Sequence, residues 1–356
     1  MRLTMLSQSM IDMSSNVRIS AIDSLRGLAV LLMVMVHAAA TWNPHQTVQT
    51  TWLAYLIAGL GGLAAPLFVT IFGWGLIKSQ SNFKNNLIKA AILLLLQIAV
   101  NLTSPHLYEN FTPGILSLFA ILIVLKPLIA KLSSNTVNFT IFWLAVAIIT
   151  LTNQFLLNIQ GDSNWDGRVY TDSALTFLSH LISTGTYPLF PWIGYAVVGA
   201  FLGSSITEGG KTLPRNNTTF LLIVIGVVYC LFTLLVSNIE GSTWAHPTKG
   251  DHLNFFPANL GFLVGSLTGV LIFWLIIQEF TVTIFESAGR LSLTIYVLHF
   301  IPLTIMSDYE NDNNWNVMEA SRAVILFTTA WLIFAFVWNR FQWLTIERLV
   351  RKLSRY

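Results

Sequence analysis

The sequence predicts an all-α, polytopic integral membrane protein, with about ten transmembrane helices in one bundle and both termini cytoplasmic. Three observations carry that prediction. Hydrophobic residues make up 54% of the 356 positions and charged residues only 10%, where a soluble domain carries about 25% charge. The apolar residues form continuous runs of about 20, the helix length that crosses a bilayer core, and not the short alternating segments of a β-barrel. Lys and Arg are also unevenly placed. With the N-terminus inside, sixteen of the nineteen fall in inner loops, tails or inner helix ends, and only Arg168, Lys249 and Arg322 fall outside. That is the bias expected when basic loops stay in the cytosol.

Taken in order, Met1–Ser20 lacks the apolar core of a cleavable signal peptide and reads as a disordered cytoplasmic tail, with methionines at 5, 10 and 13 as alternative starts. A membrane domain follows over 21–345, and a basic cytoplasmic tail over 346–356. The spans fall near 24–42, 52–77, 87–103, 113–130, 137–157, 186–204, 218–237, 257–278, 289–306 and 321–341. The stretch 172–185 is apolar but short, which suits an interfacial helix. The outer loops carry Glu109, Asp162, Asp166, Asp172, Glu240, Asp251, Asp308, Glu310, Asp312 and Glu319. Three of them, 161–170, 242–252 and 308–316, mix Trp with Asp and with Asn or His. Aromatic faces and carboxylates of that kind suit sugar rings and hydroxyls; interfacial tryptophans in solvated loops are the plainer alternative. A net charge of +3 says nothing of nucleic acid. One cysteine, Cys230, rules out an intrachain disulfide or a thiolate metal site.

The stretch Ile22–His37 organises the chain. Arg26 and His37 are eleven residues apart, three turns and ~20°, so they share a helix face. The rise between them is about 16 Å, half the depth of the hydrocarbon core. A cation at the membrane edge and an imidazole near its middle mark a functional face, because buried ionisable groups are costly there. A histidine satisfied by a neighbouring helix is the alternative. Asp23 reads as the N-cap of this helix, and Gly27 allows a helix or a ligand to approach closely. The ninth span repeats the layout, with Arg290 at the inner edge and His299 nine residues, roughly 13 Å, deeper. Tyr296 lies within hydrogen-bonding reach of His299 along that helix. In the second span, small residues and Pro66 (59–75) suggest tight packing. In the sixth, Gly194, Gly199 and Gly203 form a stripe and Trp192 reads as a belt residue. His45, His106, His246 and His252 lie in outer loops without metal-ligand spacing.

Four motifs then stand in order: R-x4-D-x2-R-G-x9-H from Arg18 to His37, A-P-L-F-V-x3-G from Ala65 to Gly73, Y-P-L-F-P-W-x-G-x4-G from Tyr187 to Gly199, and G-R-L-S-L-T-x-Y-x2-H from Gly289 to His299. Together they resemble the heparan-alpha-glucosaminide N-acetyltransferase catalytic-domain family and its bacterial relatives, within a wider superfamily of multi-pass acyltransferases. The resemblance implies transfer of an acetyl group from cytosolic acetyl-CoA to an amino sugar or related glycan across the membrane, in a bacterial inner membrane. The resemblance itself points to a histidine at the outer end of the first helix, for which His45 is the local candidate, because eukaryotic members have asparagine where His37 stands; the face shared with Arg26 makes His37 the expected base and His299 a partner on the opposite wall. Arg26, Arg290, Lys84 and Gly27 are the residues expected to receive acetyl-CoA. N- or O-acetylation, a transporter or flippase for a small solute or lipid-linked sugar, and a monomer or homodimer stay open.

Overall fold

A computed structural model of the chain describes residues 19–43, 51–134, 138–204, 211–248, 252–280 and 282–354. Helix α1 (Ser20–Thr41) runs through the middle, and fourteen of its 22 residues are buried. Around it, in chain order, come α2 (Trp52–Lys78), α3 (Phe83–Thr103), α4 (Ile115–Val124), α5 (Lys126–Leu132) and α6 (Phe139–Asn153). Then come α7 (Asp166–Val169), α8 (Ala174–Ser179), α9 (Leu189–Ser204), α10 (Asn217–Glu240) and α11 (Leu260–Glu279). The chain ends with α12 (Thr283–Arg290), α13 (Ser292–Leu298), α14 (Phe300–Ile305), α15 (Tyr309–Asp312), α16 (Val317–Trp338) and α17 (Ile346–Leu353). The only strands among the described residues are a two-residue parallel pair, Ala245–His246 with Leu253–Asn254.

The helix starts are written in side chains. Thr51, Asn82, Asn138, Asn216 and Asn259 each accept from a backbone N–H of the first turn, and Asn316 with Glu319 forms a full capping box. Each cap satisfies donors that a helix end leaves orphaned. Asp23 is not such a cap. The first helix begins at Ser20, so Asp23 sits inside its first turn and holds Arg26 Nη1 at 3.0 Å.

Among the described residues, seven helices are long and apolar enough to cross a membrane, and two bent pairs bring the number to nine if each is one span. The expected fourth span is α4 and α5, bent by 74° at Leu125, where Pro127 starts the second piece. The expected ninth is α12 followed by 292–305, bent by 67°. The expected sixth is only the 16 residues of α9, short of the usual minimum for a span. Its segment still reaches from Thr186, bonded to Pro113 O at 3.0 Å, to Ser204, bonded to Ser133 O at 2.7 Å.

Interhelix contacts sort the loops into two ends. At one end Lys126 meets Ser79 O, Lys211 pairs with Glu279 at 2.6 Å, and Ser24 donates to Val282 O at 3.1 Å. At the other, Thr112 donates to Val169 O at 2.6 Å, Asn153 to Ala258 O at 2.8 Å, and Trp42 to Met306 O at 2.8 Å. The first set holds the lysine- and arginine-rich segments, and the second the Asp- and Glu-rich loops. They are called the basic and acidic ends below.

Two close helix crossings use the motif glycines. A Cβ on Gly27 would fall 1.9 Å from Phe285 O, and one on Gly289 would fall 1.9 Å from Asp23 O. Likewise a Cβ on Gly73 would meet Ala196 O at 2.0 Å, and one on Gly199 would meet Thr70 O at 1.7 Å. Backbones this near tolerate no side chain. The four motifs therefore pair off, first with fourth and second with third. Trp192, read as a belt residue, is 1% exposed and packs among Tyr187, Tyr195, Phe255 and Phe262 instead.

Candidate active site

The crossing of α1 with α12 brings the next turns of both helices together. His37, about three turns beyond Gly27 on α1, and His299, at the junction of α13 and α14, then face each other. Their Nδ1 and Nε2 atoms are 2.9 Å apart. The ring planes lie within 9° and the centroids 5.1 Å apart, so the rings meet edge to edge in one plane with the hydrogen bond along it. Both are sealed, with His37 6% exposed and His299 0%.

Hydrogen-bond logic assigns the protons of the neutral pair. His299 Nδ1 lies 3.0 Å from Ile295 O, and a carbonyl can only accept, so Nδ1 carries the hydrogen. His299 Nε2 is then a lone pair and accepts from His37 Nδ1–H. That leaves His37 Nε2 as an unprotonated nitrogen. The Tyr108 hydroxyl faces it at 3.5 Å, at the long limit of a hydrogen bond. Ile295 O thus fixes the tautomer of His299, which fixes that of His37, as a second-site partner does for a catalytic imidazole.

Aromatic rings wall the pair. Phe300 lies 4.8 Å from His37 and 4.0 Å from His299, and Trp331 meets His299 edge-on at 6.3 Å. Tyr296 packs at 6.1 and 5.8 Å from the two rings; the hydroxyl that reaches an imidazole nitrogen is that of Tyr108. Toward the acidic end, Trp165 covers Tyr108 at 6.1 Å and leans on Phe256 at 5.4 Å. Arg168 ties this cover together. It is 2% exposed and donates to Thr184 O, Gly185 O, Gln160 O and Gly161 O at 2.8–3.2 Å. Desolvation pulls its guanidinium down to about 10, which keeps it charged at neutral pH.

The remaining expected residues lie elsewhere. Arg26 is held by Asp23, and Arg290 Nη2 by Glu286 at 3.1 Å. Both stand at the basic end, Arg26 on the helix that carries His37 and Arg290 at the end of α12, just before the bend into the segment that carries His299. Arg290 Nε is buried without a partner among the described residues, a donor that suits an anion. Gly27 spends its open side on α12, so the close approach there is helix to helix. Lys84 is exposed on the first turn of α3. His45 lies outside the described residues.

Tyr108, His106 and Arg168 are site neighbours that sequence reasoning passed over. They stand on short turns without apolar period, where spacing says nothing about direction. The only signal was composition, a His and a Tyr two residues apart between two spans.

The family model for heparan-alpha-glucosaminide N-acetyltransferase, catalytic, matches residues 18–235. The chain belongs to that family. The matched N-acetyltransferase region holds Arg26, Gly27, His37, Tyr108 and Arg168, and it ends before Arg290 and His299. The second histidine therefore comes to the site through the fold and not through the family match. No curated protein matches the chain. Membership makes it a protein of a transmembrane acyltransferase family, in keeping with the seven to nine apolar helices among its described residues.

Proposed function

We propose that the protein transfers an acetyl group from acetyl-CoA, bound at the basic end, to an amino sugar or related glycan at the acidic end. The observation that carries this reading is the buried dyad, in which Ile295 O, His299 and His37 leave one unprotonated nitrogen, His37 Nε2. A positioned neutral imidazole is what an acceptor amine or hydroxyl needs as general base.

The chemistry balances within the pair. The acceptor nitrogen or oxygen forms a bond to the thioester carbonyl carbon, and its proton goes to His37 Nε2. The C–S bond breaks, and that proton is returned to the leaving sulfur. Through its Nδ1–H, His37 can share the transient charge with His299, whose own Nδ1–H stays on Ile295 O. The phosphates of acetyl-CoA stay with Arg26, Arg290 and Lys84 at the basic edge, where charge-assisted contacts suit them. An extended pantetheine arm then carries the thioester inward by about half a bilayer, the rise from Arg26 to His37. Tyr108 and Trp165 occupy the acceptor's side. Tyr108 marks the position an acceptor hydroxyl or amine takes at Nε2.

The test is acetyl transfer from radiolabelled acetyl-CoA to glucosamine by purified protein in detergent. Labelled N-acetylglucosamine is the expected product. A folded protein that binds acetyl-CoA but labels no sugar acceptor defeats the reading.

A further inference from the structure

Thr41 is four residues beyond His37 on α1, and Thr304 is five beyond His299. Between their hydroxyls lies one more imidazole. His106 Nε2 is 3.0 Å from Thr41 Oγ1, and its Nδ1 is 3.3 Å from Thr304 Oγ1. The ring therefore bridges the two helices of the dyad about one turn, ~6 Å, closer to the acidic end. His106 also shares a turn with Tyr108, whose hydroxyl faces His37. Unlike the dyad it is exposed.

Its protons can be assigned as well. Thr304 Oγ1 donates to Thr103 O at 2.6 Å, so toward His106 it accepts, and Nδ1 carries the hydrogen. Nε2 is then a lone pair, met among the described residues by the hydroxyl of Thr41, which an incoming group can displace.

We propose that His106 is a second proton-handling residue, which deprotonates a cationic amine acceptor at the mouth of the site before the amine reaches His37. This rests on the acetyl-transfer reading and adds a step to it. An amino sugar in water near neutral pH is largely an ammonium, and an ammonium has no lone pair with which to attack. The dyad cannot remove the extra proton, because the one it takes up during attack is returned to sulfur. One proton per transfer must therefore leave toward the acidic end. His106 Nε2 takes it from R–NH3⁺, leaving R–NH2, and releases it to water. C–N bond formation, proton transfer to His37 and C–S cleavage follow. A hydroxyl acceptor releases no net proton and has no use for this step.

Partial desolvation lowers the pKa of the His106 imidazole and prevails over Asp308, on the segment after α14, which raises it. The carboxylates on the loops around the ring suit a cationic amine instead. Glu109 stands on the turn of His106 itself, and His37 and Tyr108 lie beneath. Asp162 and Asp166 flank the Trp165 cover, and no lysine of the described chain lies on these loops.

His106→Ala and His106→Gln test the proposal; the Gln amide can keep both threonine contacts if Ala fails to fold. Purified variants are given glucosamine, a largely charged amine at pH 6.5, and hydroxylamine, a largely neutral one, with acetyl-CoA as donor. The expected result is a fall of at least about tenfold in the glucosamine-to-hydroxylamine turnover ratio at pH 6.5, with the ratio returning toward the wild-type value at pH 9. An unchanged ratio at pH 6.5, or one lowered equally at both pH values, overturns the proposal. No transfer to either amine by the wild-type protein defeats the acetyl-transfer reading itself, and the proposal falls with it.

Discussion

His37 and His299 have separate jobs because their nitrogens have different partners. His37 Nε2 is the only dyad nitrogen not committed to holding the pair in place, so the proposed reaction uses it as the base. His299 sets its tautomer and shares its charge. His37→Ala is therefore expected to cut turnover by ~10²–10⁴ at saturating acetyl-CoA, the range for a lost general base, with donor binding nearly intact. His299→Ala should be milder, since His37 keeps Nε2 and loses only its orienting partner. Turnover and acetyl-CoA affinity, measured side by side, check both; His37→Ala retaining more than about a tenth of wild-type turnover reverses the assignment. In the proposed reaction Arg26→Ala acts on the donor, acetyl-CoA. Losing one charge-assisted contact should cost about 1.5–3 kcal/mol, a 10- to 150-fold weaker affinity for acetyl-CoA, and unchanged affinity in a folded variant removes Arg26 from the donor site. At this scale the sequence was readable where an ionisable side chain interrupts an apolar run, as at Arg26, His37 and His299. It was not readable where the partner is a backbone carbonyl, as at Ile295, or a side chain on an aperiodic turn, as at Tyr108 and His106.

Helix ends and crossings set where those residues stand. The small-residue character of Gly27 was visible, but its partner was not, because two glycines 262 positions apart meet only in the fold. The break in the ninth span shows the same limit. Nothing in G-R-L-S-L-T announces a 67° bend, because what sustains it comes from the far end of the chain. At the bend the backbone N–H groups of Leu293 and Thr294 donate to Glu347 Oε1 at 2.7 and 3.1 Å. The Thr294 hydroxyl donates to Oε2 at 2.5 Å and accepts from Ile346 N at 2.9 Å. A carboxylate on α17 thus caps a half-helix that leads, within two turns, to His299. Glu347→Ala removes the acceptor of three partly buried donors, at a cost of about 1–3 kcal/mol for each one left unsatisfied. Thermal unfolding in detergent should show a lower midpoint, and turnover should fall with it. A midpoint equal to wild type means that the C-terminal helix does not support the bend.

Across the whole molecule, the two loop sets that the charge bias assigned to opposite sides also separate in space by their contacts. The number of long helices is the part that came out differently, because α9 reaches from end to end with only 16 helical residues and two other spans bend. The basic residues argue that the end holding Lys126, Lys211 and Arg348 faces the cytosol. A cysteine at Asn313, in a Cys230→Ser background, should react with an impermeant thiol reagent on intact cells, and labelling only after permeabilisation inverts the topology. The same two-ended layout supports the central claim, that donor and acceptor reach one buried imidazole from opposite faces. Vesicles reconstituted with the protein, glucosamine trapped inside and acetyl-CoA added only outside, test it most directly. The expected result is N-acetylglucosamine in the vesicle interior with the wild-type protein and at most about a hundredth of that with His37→Ala. Product that forms only when donor and acceptor share a compartment, or that forms equally well without His37, would contradict it.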